Sequence, residues 1–141
     1  FEDKLHFIDE ANKTYKLKEL KRFLKEKGVA IFDTALRIRR TTGTASDKDL
    51  EIVETADLDS MLRSLPECKS VLAAGQLATK VFTEHYNIDA RKMKMGEYRP
   101  FEFEGRMLKL YREPSSSRAY PMRVEEKAAY YKQMFKDTEI L

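Results

Sequence analysis

The chain has 141 residues, 42% of them hydrophobic and 36% charged, which suits one globular domain with enough apolar side chain to bury a core. No apolar stretch approaches the ~20 residues that a membrane span needs, and a net charge of +3 admits an anionic partner without requiring one. The single cysteine, Cys68, excludes an internal disulfide, a four-cysteine iron–sulfur cluster and a cysteine-rich zinc site, and points to a reducing cytoplasm.

In "YKLKELKRFLKEKG" the helical spacing of Leu17, Leu20, Phe23 and Leu24 among lysines predicts an amphipathic helix, stopped by Gly28. The continuous apolar run "VAIFD" that follows predicts a strand buried on both faces and ending at Asp33. The basic run "RIRR", Arg37 to Arg40, reads as solvated charge on a strand edge. Thr41 to Leu50, "TTGTASDKDL", has the composition of a long polar loop. Next, "DLDSMLRSLPEC" spaces Leu58, Met61, Leu62 and Leu65 for a helix capped by Asp57 and closed by Pro66. "SVLAAG" predicts a second buried strand ended by Gly75, and "QLATKVFTEHY" resumes helical spacing through Leu77, Ala78, Val81 and Phe82. "FEFEGRMLKLY" alternates around a turn at Glu104-Gly105, with a strand on its far side. A last helix is expected from about Val124, with Ala128, Tyr131, Met134 and Phe135 on one face.

Strands alternating with helices predict a single α/β layered domain with a mostly parallel sheet, in which ligands bind where strands end. Three loops fall at such ends: the segment after Asp33, the turn at Gly75-Gln76, and "PSSSRAYP". In the last, Ser115, Ser116 and Ser117 offer hydroxyl and backbone donors to an anion and Arg118 adds a charged fork, or else the serines only satisfy local backbone at a helix entry. Asp33 is either a ligand acceptor or base, or the cap of the next turn. Ser46, Asp47 and Asp49 lack calcium-loop spacing, Gly75 stands alone without a phosphate-loop fingerprint, and His6 and His85 have no ligand partners, so no metal is expected.

Taken in order, "GVAIFDT" (Gly28 to Thr34), "TASDKDL" (Thr44 to Leu50), "VLAAGQLATKVF" (Val71 to Phe82) and "PSSSRAY" (Pro114 to Tyr120) resemble the uracil-DNA glycosylase superfamily. The resemblance is closest to its branch acting on deoxyinosine, uracil or mismatched bases, and runs from about Leu17 to the C-terminus. It implies a three-layer α/β/α fold around a central, mostly parallel four-stranded sheet, with the opening strand expected outside this chain. It implies a monomer that acts on double-stranded DNA holding a damaged or mismatched base and needs no metal or cofactor. After flipping a base of the uracil or hypoxanthine class, it would hydrolyse the N-glycosidic bond and leave an abasic site. Pro114, Ser115, Ser116, Ser117 and Arg118 would hold the DNA backbone, or Arg118 would enter the gap left by the base; Gly75 and Gln76 would face the same cleft, and Asp33 and Ser46 would lie near the base pocket. The family's water-positioning motif is expected upstream of Phe1, so no catalytic residue is assigned within the chain. The alternative is a non-catalytic nucleic-acid-binding relative of the same fold. A flavodoxin-like small-molecule domain is disfavoured because no phosphate loop is present.

Overall fold

The computed structural model describes residues 5–40 and 50–140. The chain divides into two compact units, residues 1–32 and residues 33–139. In the first, the short strands β1 (Ile8–Asp9) and β2 (Thr14–Tyr15) pair antiparallel. Asp9 ties their turn together by accepting Asn12 N–H at 3.2 Å and Asn12 Nδ2 at 2.8 Å. Helix α1 (Leu17–Lys27) follows the hairpin and ends where expected: Gly28, at φ 71°, takes the left-handed conformation that a side chain disfavours. The rings of Phe7 and Phe23 pack with centroids 5.3 Å apart.

The expected strand at "VAIFD" is not there. Ile31 and Phe32 are 71% and 53% exposed, and the strand begins later, as β3 (Ala35–Arg40). Strand β3 pairs antiparallel with β4 (Leu50–Thr55), and the last bond of that ladder runs from Ala56 N–H to Thr34 O. An apolar run becomes a strand only where a partner strand supplies hydrogen bonds, and among the described residues none pairs with 29–33. Asp33 is therefore exposed and precedes a strand rather than ending one. Residues 41–49, most of the expected polar loop, lie outside the described residues, and Leu50 belongs to β4.

Helix α2 (Leu58–Arg63) starts as expected, with Asp57 Oδ1 accepting Ser60 N–H at 3.0 Å. Its end is held by an arginine distant in sequence. Arg106 donates from Nη2 to Leu62 O at 2.8 Å, and from Nη1 to Leu65 O and Pro66 O at 2.9 Å and to Cys68 O at 3.3 Å. One guanidinium thus gathers the carbonyls of the last helical turn and of the turn after it, two of which, Leu62 O and Leu65 O, also accept backbone N–H groups.

The main sheet has the order β5 (Ser70–Ala74), β7 (Arg106–Glu113), β6 (Tyr98–Phe103). Strands β5 and β7 are parallel and β6 and β7 antiparallel, so the sheet is mixed and three-stranded where a mostly parallel four-stranded one was expected. The turn accounts for the antiparallel pair. Glu104 and Gly105 have φ of 48° and 81°, the type I′ hairpin geometry, and a two-residue loop can only return the chain antiparallel.

Along β7 the side chains alternate. Leu108 and Leu110 enter a core with Leu58, Leu62, Ala73, Phe82, Phe101 and Phe103, shared with α2 and helix α3 (Gln76–His85). Tyr86 closes this core with its ring 5.1 Å from that of Phe101, while its hydroxyl donates to Asp59 Oδ1 at 2.8 Å beside His85. The last helix, α4 (Val124–Asp137), runs from the residue predicted, but the inward face differs by a small rotation: Lys127, Tyr131 and Met134 point in and Ala128 is exposed. The long stem of Lys127 is apolar enough to fill an inward position that small Ala128 does not.

Replacing Arg106 with lysine removes the fork that reaches the carbonyls after α2 while keeping the charge. Urea unfolding of Arg106→Lys should show a loss of about 1–3 kcal/mol, the size of the charged hydrogen bonds removed. An unchanged midpoint would show that water serves those carbonyls equally well.

Candidate functional site

Parallel neighbours end on the same side of a sheet, and here the register makes β5 and β7 end level, with Ala74 opposite Glu113. The next residue along β5 is Gly75, whose N–H donates to Glu113 O at 2.8 Å. Gly75 has φ 97° and ψ 168°, a conformation essentially restricted to glycine, and it turns the chain straight into α3 at Gln76. Its carbonyl accepts the N–H of Thr79 at 3.1 Å and the Thr79 hydroxyl at 2.8 Å, so the turn is held on both sides.

Across from it the chain leaves β7 through Pro114 and Ser115, both buried. Ser115 Oγ accepts Ser117 N–H at 3.2 Å, and Ser117 Oγ accepts Ala119 N–H, also at 3.2 Å. Ser117 O accepts Tyr120 N–H at 3.1 Å and the Lys127 ammonium at 2.7 Å, while Pro114 O accepts the Tyr131 hydroxyl at 2.7 Å. The serines therefore divide their labour. Ser115 and Ser117 organise the loop through their own backbone, while Ser116 and Arg118 are exposed and the Ser116 hydroxyl also bonds the Tyr131 hydroxyl.

Of the expected site residues, the structure thus brings together Gly75, Gln76 and the segment from Pro114 to Arg118. Asp33 stands two residues before β3, which pairs with β4 and not with the β5–β7 pair, so its expected place at a strand's carboxyl end is corrected. Ser46 lies outside the described residues. Among the described residues no three His, Cys, Asp or Glu side chains gather to hold a metal ion, and no helix is long and apolar enough to cross a membrane.

Three residues at the site carry no motif. Glu113 is 1% exposed, and its Oε2 has no hydrogen-bond partner. Burial, and then the nearby Asp137 carboxylate, push its carboxyl up to about 7 from the ordinary 4.5. Tyr131 is pushed up by burial and then by Glu113, with a hydrogen bond from Ser116 acting the other way. Lys127 is the third, seated under the loop. The available signals were weak: Glu113 has the same alternation parity as Tyr111 on β7, and Lys127, Tyr131 and Met134 fall at i, i+4 and i+7 of α4. No protein-family model, curated protein or solved structure matches the chain.

Because the Glu113 carboxyl holds its proton more tightly folded than unfolded, its contribution is fully present below about pH 4.5. It is lost as pH rises toward about 7 and changes no further above that. The slope in that window is at most about 1.4 kcal/mol per pH unit. Glu113→Gln should flatten this part of the stability profile, and above about pH 7 it should be more stable than the wild type in urea unfolding. Identical pH profiles for the two proteins would mean that folding leaves the Glu113 carboxyl at its ordinary value of 4.5.

Proposed function

We propose that the chain is a DNA glycosylase domain of the uracil-DNA glycosylase type, acting as a monomer on double-stranded DNA with a damaged, deaminated or mismatched base. The observation that carries this is the level ending of β5 and β7. The Gly75-Gln76 turn follows β5 where Gly75 N–H bonds Glu113 O, the last residue of β7 before the serine loop leaves it. An enzyme that acts on a base must hold a strand by its phosphates while the nucleotide leaves the stack. Short hydroxyl side chains and free backbone donors approach a phosphate closely, and a guanidinium adds a two-pronged charged contact. Ser116 and Arg118 are the exposed groups of the loop, and Gly75, with no side chain, lets a strand come near the backbone.

In the reaction, the bond between the sugar C1′ and the base nitrogen breaks, the oxygen of water joins C1′, and a proton ends on the departing base. The residues described here bind and orient the strand, and the water-positioning group is not assigned to any of them. The parallel β5–β7 pair is taken as the centre of the family's four-stranded sheet.

The test is incubation of the full-length protein with duplexes containing uracil, hypoxanthine or a mismatch, followed by alkaline cleavage at abasic sites. A cut strand for at least one of these is expected, and binding without a cut would favour the non-catalytic relative. In the same system Arg118→Ala should weaken binding to all sequences alike and lower the slope of affinity against salt by about one. Altered preference among lesions at constant slope would instead make Arg118 a base reader.

A further inference from the structure

Glu113 is 1% exposed at the last position of β7, and its Oε2 meets no hydrogen-bond donor. Helix α4 packs against β7 and brings two titratable groups toward it, Tyr131 from the middle of the helix and Asp137 from its last turn. On its own strand Tyr111 lies two residues back on the same face, and its partner on β5 is Ala74, which has no charge. Among the described residues no cation acts on the Glu113 carboxyl, and Asp137, the charged group that does, has the same sign as an ionised Glu113.

This carboxyl and the serine loop share one support. Tyr131 donates to Pro114 O at 2.7 Å, so the helix that carries Asp137 toward Glu113 also holds the loop. Asp137 stands at the C-terminal end of α4, where the negative pole of the helix already disfavours a carboxylate, and Gln133 Nε2 donates to its Oδ1 at 2.9 Å. A second negative charge, buried and without a donor, is relieved when this end of the helix moves outward and water enters.

We propose that Glu113 is a proton-operated latch: with its proton it lets the end of α4 close on β7 and hold the serine loop, and on giving that proton to water it drives the helix end away and frees the loop. Closed, the carboxyl keeps its proton up to about pH 7, whereas open it titrates near the ordinary 4.5. The opening constant therefore rises by up to about tenfold per pH unit between those two values and is level below and above them. The latch needs no ligand. That the loop it frees is one that holds DNA rests on the glycosylase proposal.

Amide hydrogen exchange of the full-length protein without DNA tests this, with wild type and Glu113→Gln compared at each pH so that the intrinsic pH dependence of exchange cancels. The reporters are Tyr120 N–H, bonded to Ser117 O in the loop, and Thr138 N–H, bonded to Met134 O at the end of α4, while the amides of the core residues Leu108 and Leu110 follow global unfolding. The expected result is that between about pH 5 and 7 the ratio of wild-type to variant rate at Tyr120 and Thr138 climbs by up to about tenfold per pH unit, with both exchanging faster than Leu108 and Leu110. Asp137→Asn, which keeps Glu113 and removes the like charge, should level off at lower pH. A ratio that stays constant with pH overturns the proposal. Loop, helix end and core exchanging at one common rate also overturns it, because the carboxyl then acts only on global stability. If Glu113→Gln does not fold, wild-type rates divided by those of an unstructured peptide of the same sequence decide: an opening constant at Tyr120 that does not change with pH overturns the latch. Failure of the latch leaves the glycosylase proposal standing, since cleavage of lesion-containing duplexes decides that separately.

Discussion

The hydrogen bond from Gly75 N–H to Glu113 O is the last rung of the parallel β5–β7 ladder, and the candidate site is built outward from it. Because the two strands end level, the chain leaves the sheet twice at one place, once into α3 and once into the serine loop. Gly75 is required by the backbone: at φ 97° and ψ 168° a side chain would be strained, and without that turn α3 would not start directly after β5. The tie is maintained from below by Tyr131, which holds Pro114 O, and from the side by Thr79, which holds Gly75 O.

Two buried ionisable side chains lie on either side of the loop in sequence, and their states set its electrostatics. Glu113, before the loop, is held near neutrality by burial and by Asp137. Lys127, after it, donates to the Ser117 carbonyl and lies against the Tyr120 ring. Ionisation of Glu113 as pH rises through about 7 adds a negative charge beside the loop, next to that of Asp137.

Much of the framework was legible in the amino-acid pattern because local signals agreed with the tertiary structure. Gly28 stops α1, Asp57 caps α2, Gly75 separates β5 from α3, and Glu104-Gly105 turns the hairpin. The failure at "VAIFD" is equally physical: apolar content says where a segment prefers to be, whereas pairing decides whether it is a strand, and β4 pairs with the segment from Ala35 to Arg40 instead. The mixed sheet was missed because the strand before Glu104 was not read as one, although Phe101 and Phe103 alternate there. At the site, the loops were found by their glycine and serines. Glu113 and Lys127 were not, since a charged residue in sequence reads as solvent-facing until packing shows otherwise.

The central claim is that the Gly75 turn and the serine loop form one surface that receives DNA. Amide hydrogen exchange of the full-length protein with and without a lesion-containing duplex tests it most directly. The account predicts that slowed exchange appears together in residues 75–79 and 115–120 and grows in parallel as DNA is added. Protection confined to the basic strand β3, or to α1, with both loops unchanged, would contradict it.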